Sequence, residues 1–192
     1  MSDQKILFLV NVDWFFVSHR LCIARAAVEK GYEVHVATTV TNQASIIKDS
    51  GLILHELQMS RSGSRIIGNL KTFIAIVQIF REVNPQLVHL VTIKPIILGG
   101  IAARFTKING IIAAVSGLGP VFAPTKWHHK FRLKLVIFVY RYIFKARFSA
   151  IICQSEHDKS VLLKYNVCSE FQVSIIEGSG VDLDRYSPDN ST

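Results

Sequence analysis

Residues 5–31, KILFLVNVDWFFVSHRLCIARAAVEKG, decide the fold because a buried strand, a loop and a helix follow one another within this stretch. Residues 6–10 form a continuous apolar run, which is typical of a strand covered on both faces in a parallel sheet. Ser18 takes the position of a helix N-cap, and apolar residues recur at helical spacing until Gly31 ends the helix. Residues 11–17 are therefore predicted as a loop at the carboxyl end of the strand, the edge where open α/β sheets bind ligands.

Short apolar runs and longer helical patterns alternate through the rest of the chain. This alternation predicts parallel strands joined by right-handed helical crossovers, and hence an α/β, Rossmann-like parallel sheet with helices on both faces. The predicted strands cover residues 6–10, 33–38, 53–57, 87–91, 111–115, 150–154 and 172–176. The longest predicted helices cover residues 66–83 and 126–148, and a loop is predicted at residues 92–95.

Composition narrows the classes of protein and of partner. A chain of 192 residues fits one ordinary domain, and 49% hydrophobic residues with 19% charged residues exclude a disordered chain. The net charge of +8 predicts an anionic partner: phosphate, nucleic acid or acidic lipid. The sequence contains neither G-x-G-x-x-G nor G-x-x-x-x-G-K-[ST], which disfavours a dinucleotide cradle or a P-loop.

Cysteine and histidine positions indicate an intracellular protein without a metal. Cys22, Cys153 and Cys168 are odd in number and lack C-x-x-C spacing, so a reducing cytoplasm is expected. The seven histidines are dispersed, and we predict neither a metal site nor a bound cofactor. No uncharged apolar stretch approaches the ~20 residues that span a bilayer, so the protein is expected to touch a membrane without crossing it.

A basic helix is the strongest sign of a surface partner. No acidic residue occurs between residues 126 and 147, and most of the basic side chains fall within an arc of about 120°. Such a stripe suits anionic lipid, since each Lys or Arg near the surface contributes roughly 1 kcal/mol. The alternatives are a solvated helix face and nucleic acid, but no nucleic-acid module accompanies the stripe. The predicted membrane-surface residues are Lys126, Trp127, Lys130, Lys134, Arg141, Lys145 and Arg147.

Five stretches together resemble a known family. They are Ser18-His19-Arg20 followed by KGYEVHV at residues 30–36, VHLVTIKP at 88–95 with Gly99-Gly100, VSGLGPVF at 115–122, and GSGVDLDRYSP at 178–188. The chain resembles the N-terminal, acceptor-side domain of bacterial GT-B glycosyltransferases of the retaining family 4 group, which build cell-surface polysaccharides.

The resemblance implies that acceptor and donor are bound by different domains. Residues 1–177 would form the GT-B N-terminal domain and residues 178–192 the start of an interdomain linker. In this family the nucleotide-sugar is held mostly by a C-terminal domain with an E-x(7)-E motif, which this sequence lacks. We therefore expect the acceptor-binding half of a hexosyltransferase that acts on a lipid-linked surface glycan at the cytoplasmic membrane face. That half would be inactive without a separate C-terminal partner.

Alternatives from other classes remain open on sequence alone. The chain could be a non-catalytic, membrane-associated subunit or a truncated remnant that needs such a partner. A nucleic-acid-binding domain is disfavoured.

The candidate catalytic residues follow the first strand. Asp13 could orient an acceptor hydroxyl or accept its proton, and His19 would face the same cleft. The plainer alternatives are a loop aspartate that hydrogen-bonds its own backbone and a histidine of the helix surface or core. The resemblance also implies that a retaining enzyme needs no dedicated base if the departing phosphate takes the proton.

The candidate acceptor-binding residues follow two later strands. Thr92 and Lys94 come after the fourth strand, where a lysine can neutralise a phosphate. Ser116, Gly117 and Gly119 form a small-residue loop that lets backbone N–H groups approach a ligand closely. A solvated lysine and a tight turn without ligand are the alternatives. Many relatives carry a second histidine where this chain has Val91, so its role does not carry over.

Overall fold

The computed structural model describes residues 4–59, 66–118, 122 and 127–178, excluding the side chains of residues 66 and 127–129. The strands are β1 (Lys5–Val12), β2 (Glu33–Thr39), β3 (Ile53–Glu56), β4 (Leu87–Val91), β5 (Gly110–Val115), β6 (Phe148–Cys153) and β7 (Val173–Ile175). The helices are α1 (Asp13–His19), α2 (Leu21–Glu29), α3 (Ala44–Asp49), α4 (Ile66–Val83), α5 (Ile93–Phe105), α6 (Trp127–Phe144) and α7 (Glu156–Lys164), with a 3-10 turn at Glu170–Gln172.

The seven strands form one sheet in the order β3-β2-β1-β4-β5-β6-β7, and every pair is parallel. From β1, the strands β2 and β3 are added on one side of the sheet. The chain then crosses back, and β4 to β7 are added in order on the other side of β1. Right-handed crossovers therefore place α2 and α3 on one face and α4, α5 and α6 on the other. The predicted Rossmann-like parallel sheet with helices on both faces is confirmed.

Alternate residues of β1 feed two separate cores. Leu7 and Leu9 pack into the larger core with α4, α5 and α6, whereas Phe8 and Val10 pack into the smaller core with α1, α2 and α3. The strand is buried on both faces, as its unbroken apolar run predicted. The larger core is tight, since a Cβ added at Gly100 would lie 2.5 Å from the Ile143 side chain. Glycine at this position lets α5 approach α6 closely.

The order of strands reverses direction between β1 and β4, which makes a topological switch point. Leu9 of β1 lies beside Leu90 of β4, and Leu90 lies beside Ala113 of β5. The carboxyl ends of these three strands therefore meet at one rim of the sheet. Crevices at such rims are where open α/β sheets bind ligands.

The segment after the first strand differs from the prediction. Residues 11–17 were predicted as a loop, but β1 continues to Val12 and α1 begins at the next residue. Ser18 is not an N-cap, because it lies inside α1 and its hydroxyl donates to the carbonyl oxygen of Trp14 at 2.9 Å. A serine in a helix satisfies its hydroxyl in this way against the preceding turn.

Two other predicted boundaries differ from those in the structure. The predicted loop at residues 92–95 is wrong, because α5 begins at Ile93 and Pro95 lies in its first turn. Proline is compatible with a first turn, where N–H groups lack an intrahelical partner in any case. The basic helix ends at Phe144 rather than residue 148, and β6 starts at Phe148.

Candidate functional site

The rim of the sheet at the switch point is held together by two hydrogen bonds. The side-chain amide of Asn11, near the end of β1, donates to the Thr92 hydroxyl at 2.9 Å. The Thr92 backbone N–H, just after β4, donates to the carbonyl oxygen of Ala114 in β5 at 3.1 Å. These bonds join the ends of three strands, and we call the cluster of Asn11, Thr92, Lys94 and Ser116 the switch-point rim.

Thr92 adopts a backbone conformation that is rare for any residue except glycine. Its φ is 73° and its ψ is 163°, at the N-cap position of α5. A β-branched residue in this region stores roughly 1–3 kcal/mol of strain, which the surrounding contacts must hold. Strain of this kind clusters at ligand-binding sites, so the observation strengthens the prediction for Thr92 beyond its place in the sequence.

The same rim carries buried polar atoms without partners. Asn11 Oδ1 and Ser116 Oγ are shielded from solvent, and neither has a hydrogen-bond partner among the described residues. An unsatisfied buried acceptor or hydroxyl costs roughly 1–3 kcal/mol, so a ligand hydroxyl near Asn11 Oδ1, or a hydroxyl or phosphate oxygen near Ser116 Oγ, would recover free energy. Gly117 follows with a φ of +89°, and no described atom lies within 4 Å of the position that a Cβ would take there, which leaves its backbone open to approach. Gly119 lies outside the described residues.

The start of α5 favours an anion. The helix has no acidic residue in its first turn and no side-chain cap on its first N–H groups. Lys94 adds a cation to this positive end of the helix dipole, so positive charge is concentrated at the start of α5. Lys94 is half-buried, and burial lowers the pKa of its ammonium group. Concentrated positive charge at a helix start favours a phosphate.

Asp13 lies beside the rim but is fully engaged in other contacts. Its side chain is 0% exposed, and it accepts hydrogen bonds from the Thr41 hydroxyl and from the backbone N–H groups of Trp14, Thr41, Asn42 and Gln43. Burial raises the pKa of this carboxyl, but the bonds from Thr41, Gln43 and Trp14 outweigh burial and lower the pKa to about 2. A carboxylate held this way braces the loop between β2 and α3 and is a poor proton acceptor. Its catalytic role stays a prediction.

His19 makes its contacts on its own helix. Its ring stacks on Phe15 with centroids 4.1 Å apart, and Nδ1 lies 2.6 Å from the Ser18 hydroxyl. Within the described part of the chain, neither contact links His19 to Asn11, Thr92 or Ser116. Its catalytic role also stays a prediction.

Sequence reasoning found three of the four residues at the rim and missed Asn11. The available signal was that Asn11 is the first polar residue to interrupt the apolar run of the first strand. The predicted ligand-binding loop at residues 11–17 contained Asn11, but no role was assigned to it. The strain at Thr92 has no sequence signature, since threonine gives no hint of a positive φ.

The outer side of α6 separates into two neighbouring stripes. Lys130, Lys134 and Arg141 fall within about 40° of arc, and an apolar stripe occupies the next 60° or so. The apolar stripe contains Phe131 (70% exposed), Leu135 (55%), Phe138 (69%) and Tyr142 (46%). None of the described helices is long and apolar enough to cross a membrane. A helix with such a surface suits the plane of a lipid interface.

Some of the predicted membrane-surface residues are exposed, whereas others already contact neighbouring residues. Lys130, Lys134 and Lys145 are exposed, but Lys145 follows the end of α6. Arg141 donates to the carbonyl oxygens of Tyr165 and Asn166 beyond α7, and Arg147 lies over the Phe148 ring at 5.2 Å. Lys126 and the Trp127 side chain lie outside the described residues.

Comparison with known proteins identifies a glycosyltransferase family and related enzymes. A family model described as "Glycosyl transferase 4-like" matches residues 5–155. The chain is 29% identical over 126 residues to the Escherichia coli UDP-Gal:alpha-D-GlcNAc-diphosphoundecaprenol alpha-1,3-galactosyltransferase, which covers 64% of this chain and 30% of that protein. It is 23% identical over 188 residues to the Campylobacter jejuni N,N'-diacetylbacillosaminyl-diphospho-undecaprenol alpha-1,3-N-acetylgalactosaminyltransferase, covering 96% of this chain and 49% of the relative.

Solved structures share the fold. A glycosyltransferase from Rickettsia africae superposes with a TM-score of 0.69 at 18% identity, over 100% of this chain and 47% of the other. Anabaena Alr3699/HepE, solved with UDP and glucose, superposes with a TM-score of 0.65 at 17% identity, over 98% and 48%. The chain therefore spans half or less of the length of each of these proteins.

Proposed function

The chain belongs to the glycosyl transferase 4-like family, and from that premise we propose that it binds the acceptor in a glycosyltransferase that elongates a lipid-linked surface glycan. The donor would be a nucleotide-sugar, bound mostly by a domain outside these 192 residues. The observation that carries the proposal is the switch-point rim, which contains a strained Thr92 and unpartnered polar atoms of Asn11 and Ser116. The two curated relatives act on sugars linked through diphosphate to undecaprenol, and this supports the same class of acceptor here.

We propose a separate role for each residue of the switch-point rim. The positive start of α5 and Lys94 would hold a diphosphate, while Asn11 Oδ1 and Ser116 Oγ would bond the sugar hydroxyls. In transfer, the acceptor hydroxyl forms a bond to the anomeric carbon of the donor as the bond to the nucleotide diphosphate breaks, and the departing diphosphate takes the hydroxyl proton. The contribution of this chain is to orient that hydroxyl, which lowers the entropic part of the barrier. Asp13 is assigned no proton transfer, because its oxygens already accept five hydrogen bonds.

We propose a peripheral position at the cytoplasmic membrane face, and the surface of α6 supports it. The basic stripe would contact anionic headgroups while Phe131 and Phe138 enter the boundary with the acyl chains. Lipid-linked acceptors are confined to that surface, so docking there raises their local concentration. Arg141 contributes less than its charge suggests, because its guanidinium already bonds two carbonyl oxygens.

Sugar transfer tests the acceptor assignment. The chain is mixed with a candidate donor-binding half, a UDP-sugar and N-acetylglucosamine diphospho-undecaprenol. Thr92→Ala and Lys94→Ala are each expected to raise the KM for the acceptor about tenfold and to leave the KM for the donor unchanged. Thr106→Ala, which removes a hydroxyl at the other end of α5, is the matched control. Rapid turnover by the chain alone would contradict the division between acceptor and donor parts.

Liposome flotation tests the membrane position. Reversing Lys130 and Lys134 to Glu, or changing Phe131 and Phe138 to Ser, is expected to release the protein from vesicles with anionic lipid. The control is Lys30→Glu with Lys48→Glu, which makes the same change of charge on the α2 and α3 side of the sheet. If the control releases the protein as much as the α6 variants do, only overall charge matters and the assignment to α6 is wrong.

A further inference from the structure

A cavity opens on the α2 side of the switch-point rim. It has a volume of about 280 Å³ and lies between the start of α2 and the carboxyl halves of β4–β7. Among the described residues, no helix covers β5–β7 on this face, and Ile152 of β6 is only half-buried there. Its volume is close to the lower limit of ~300 Å³ for small-ligand pockets, so it admits one sugar ring but not an oligosaccharide.

Two nearly buried polar side chains line the cavity. Arg20 is 6% exposed and His89 is 5% exposed. His89 stacks on Phe8 at 5.0 Å between ring centroids, which fixes the orientation of its ring, and its Nε2 has no hydrogen-bond partner within the described chain. Burial, and then the charge of Arg20, lower the pKa of His89 to about 3, so the imidazole is neutral near pH 7.

The chemistry of the lining selects the kind of ligand. A neutral imidazole nitrogen is a donor in one tautomer and an acceptor in the other, and a hydroxyl can satisfy either. Gln154 and Glu177 add an amide and a carboxylate that suit hydroxyls, while a bare phosphate would be repelled by Glu177. Apolar contact comes from Ile23, Ile152 and Ile176. Aliphatic walls with planar polar groups match a sugar ring, which has C–H faces and equatorial hydroxyls.

We propose that this cavity binds one sugar ring of the acceptor, held by hydrogen bonds from Arg20 and His89 and packed against Ile152. The proposal rests on the proposed function, and it places a sugar subsite on the α2 side of the rim, apart from the diphosphate position at α5. It adds Arg20, His89 and Gln154 to the residues that select the acceptor.

Methyl NMR on the isoleucines tests the proposal, because these residues report separately on each region. Ile23, Ile152 and Ile176 line the cavity, Ile93 adjoins Thr92 and Lys94, and Ile53 lies on the far edge strand. The probes are N-acetylglucosamine, N-acetylglucosamine 1-phosphate and inorganic phosphate, each titrated to tens of millimolar. Both sugars are expected to shift the cavity methyl signals, and phosphate alone is expected to leave them unchanged.

Two tryptophan variants test whether the sugar binds in the cavity. Ile176→Trp fills the mouth of the cavity from a position that is 54% exposed, and it is expected to weaken sugar binding at least tenfold. Ile53→Trp, at an exposed isoleucine of the opposite edge strand, is the control and should bind as the original chain does. Sugar-dependent shifts at Ile93 without shifts at the cavity would overturn this subsite while leaving the proposed function intact. Equal shifts with phosphate alone would overturn the assignment to sugar.

Discussion

Asn11 and Asp13 lie two residues apart where β1 ends, yet the polar atoms around Asp13 are satisfied and those around Asn11 and its partner Thr92 are not. The Asp13 carboxylate accepts five hydrogen bonds and is completely buried. Asn11 keeps an unpartnered Oδ1, and Thr92 is held in a strained backbone conformation. A satisfied carboxylate stabilises a fold, whereas strain and unpartnered atoms leave free energy to be gained by binding.

Among single substitutions at neutral pH, the largest effect on stability is expected at Asp13. Asp13→Ala leaves four backbone N–H groups and the Thr41 hydroxyl without their acceptor, and the free energy of unfolding should fall by roughly 3 kcal/mol. Urea denaturation followed by circular dichroism measures it. Asp49→Ala, at an exposed aspartate of α3, should change stability by less than about 0.5 kcal/mol. An unchanged stability in Asp13→Ala, together with lost sugar transfer, would restore Asp13 as a catalytic residue.

This contrast also marks how far the sequence could predict the structure. Short apolar runs between helical patterns located all seven strands, and the run of β1 is continuous because the strand is buried on both faces. The same reasoning missed α1, since a seven-residue helix containing Trp14, Phe15 and Phe16 shows no amphipathic spacing. Asp13 was placed correctly at the end of β1, but its partners Thr41–Gln43 come from a loop nearly 30 residues away. Such long-range hydrogen bonds are fixed by tertiary packing and leave no local pattern.

His89 and Asp13 affect the free energy of unfolding in different ranges of pH. The pKa of His89 is lowered from 6.5 to about 3 in the folded chain, so the unfolded chain binds the extra proton first. The contribution of neutral His89 is complete above pH 6.5 and is lost as the pH falls toward 3, at about 1.4 kcal/mol per pH unit. Burial, and then His35, also lower the pKa of His55, which acts in the same direction. Asp13 contributes nothing between pH 6.5 and about 4, since its own loss runs from pH 3.8 down to about 2.

Denaturation at a series of pH values checks the histidine effect. His89→Phe keeps a flat ring against Phe8 and removes the titration, so its stability should fall less steeply between pH 6.5 and 4. His157→Gln, at an exposed histidine of α7, should follow the original profile. Parallel profiles for His89→Phe and the original chain would mean that His89 does not titrate as its burial requires.

A smaller effect is expected from glycine at Thr92. Glycine is normally less stable than alanine by about 0.5–1 kcal/mol, but at a φ of 73° it relieves the strain that alanine would keep. Thr92→Gly is therefore expected to be more stable than Thr92→Ala by roughly 1 kcal/mol, as measured by thermal or urea unfolding. At Thr106, where φ is −87°, the order should be the ordinary one, with alanine more stable. If alanine were more stable than glycine at both positions, Thr92 would not be strained.

The most direct test of the central claim follows individual amides by NMR while a short-chain prenyl diphosphate carrying N-acetylglucosamine is added. The claim is that the acceptor binds at the switch-point rim and that the Asp13 side of β1 is structural. We predict shifts of the Asn11 side-chain amide and of the Thr92 and Ser116 backbone amides, with the amides of Thr41, Asn42 and Gln43 unmoved. Shifts at Thr41–Gln43 with an unmoved Asn11 amide would contradict the claim and assign binding to the Asp13 side.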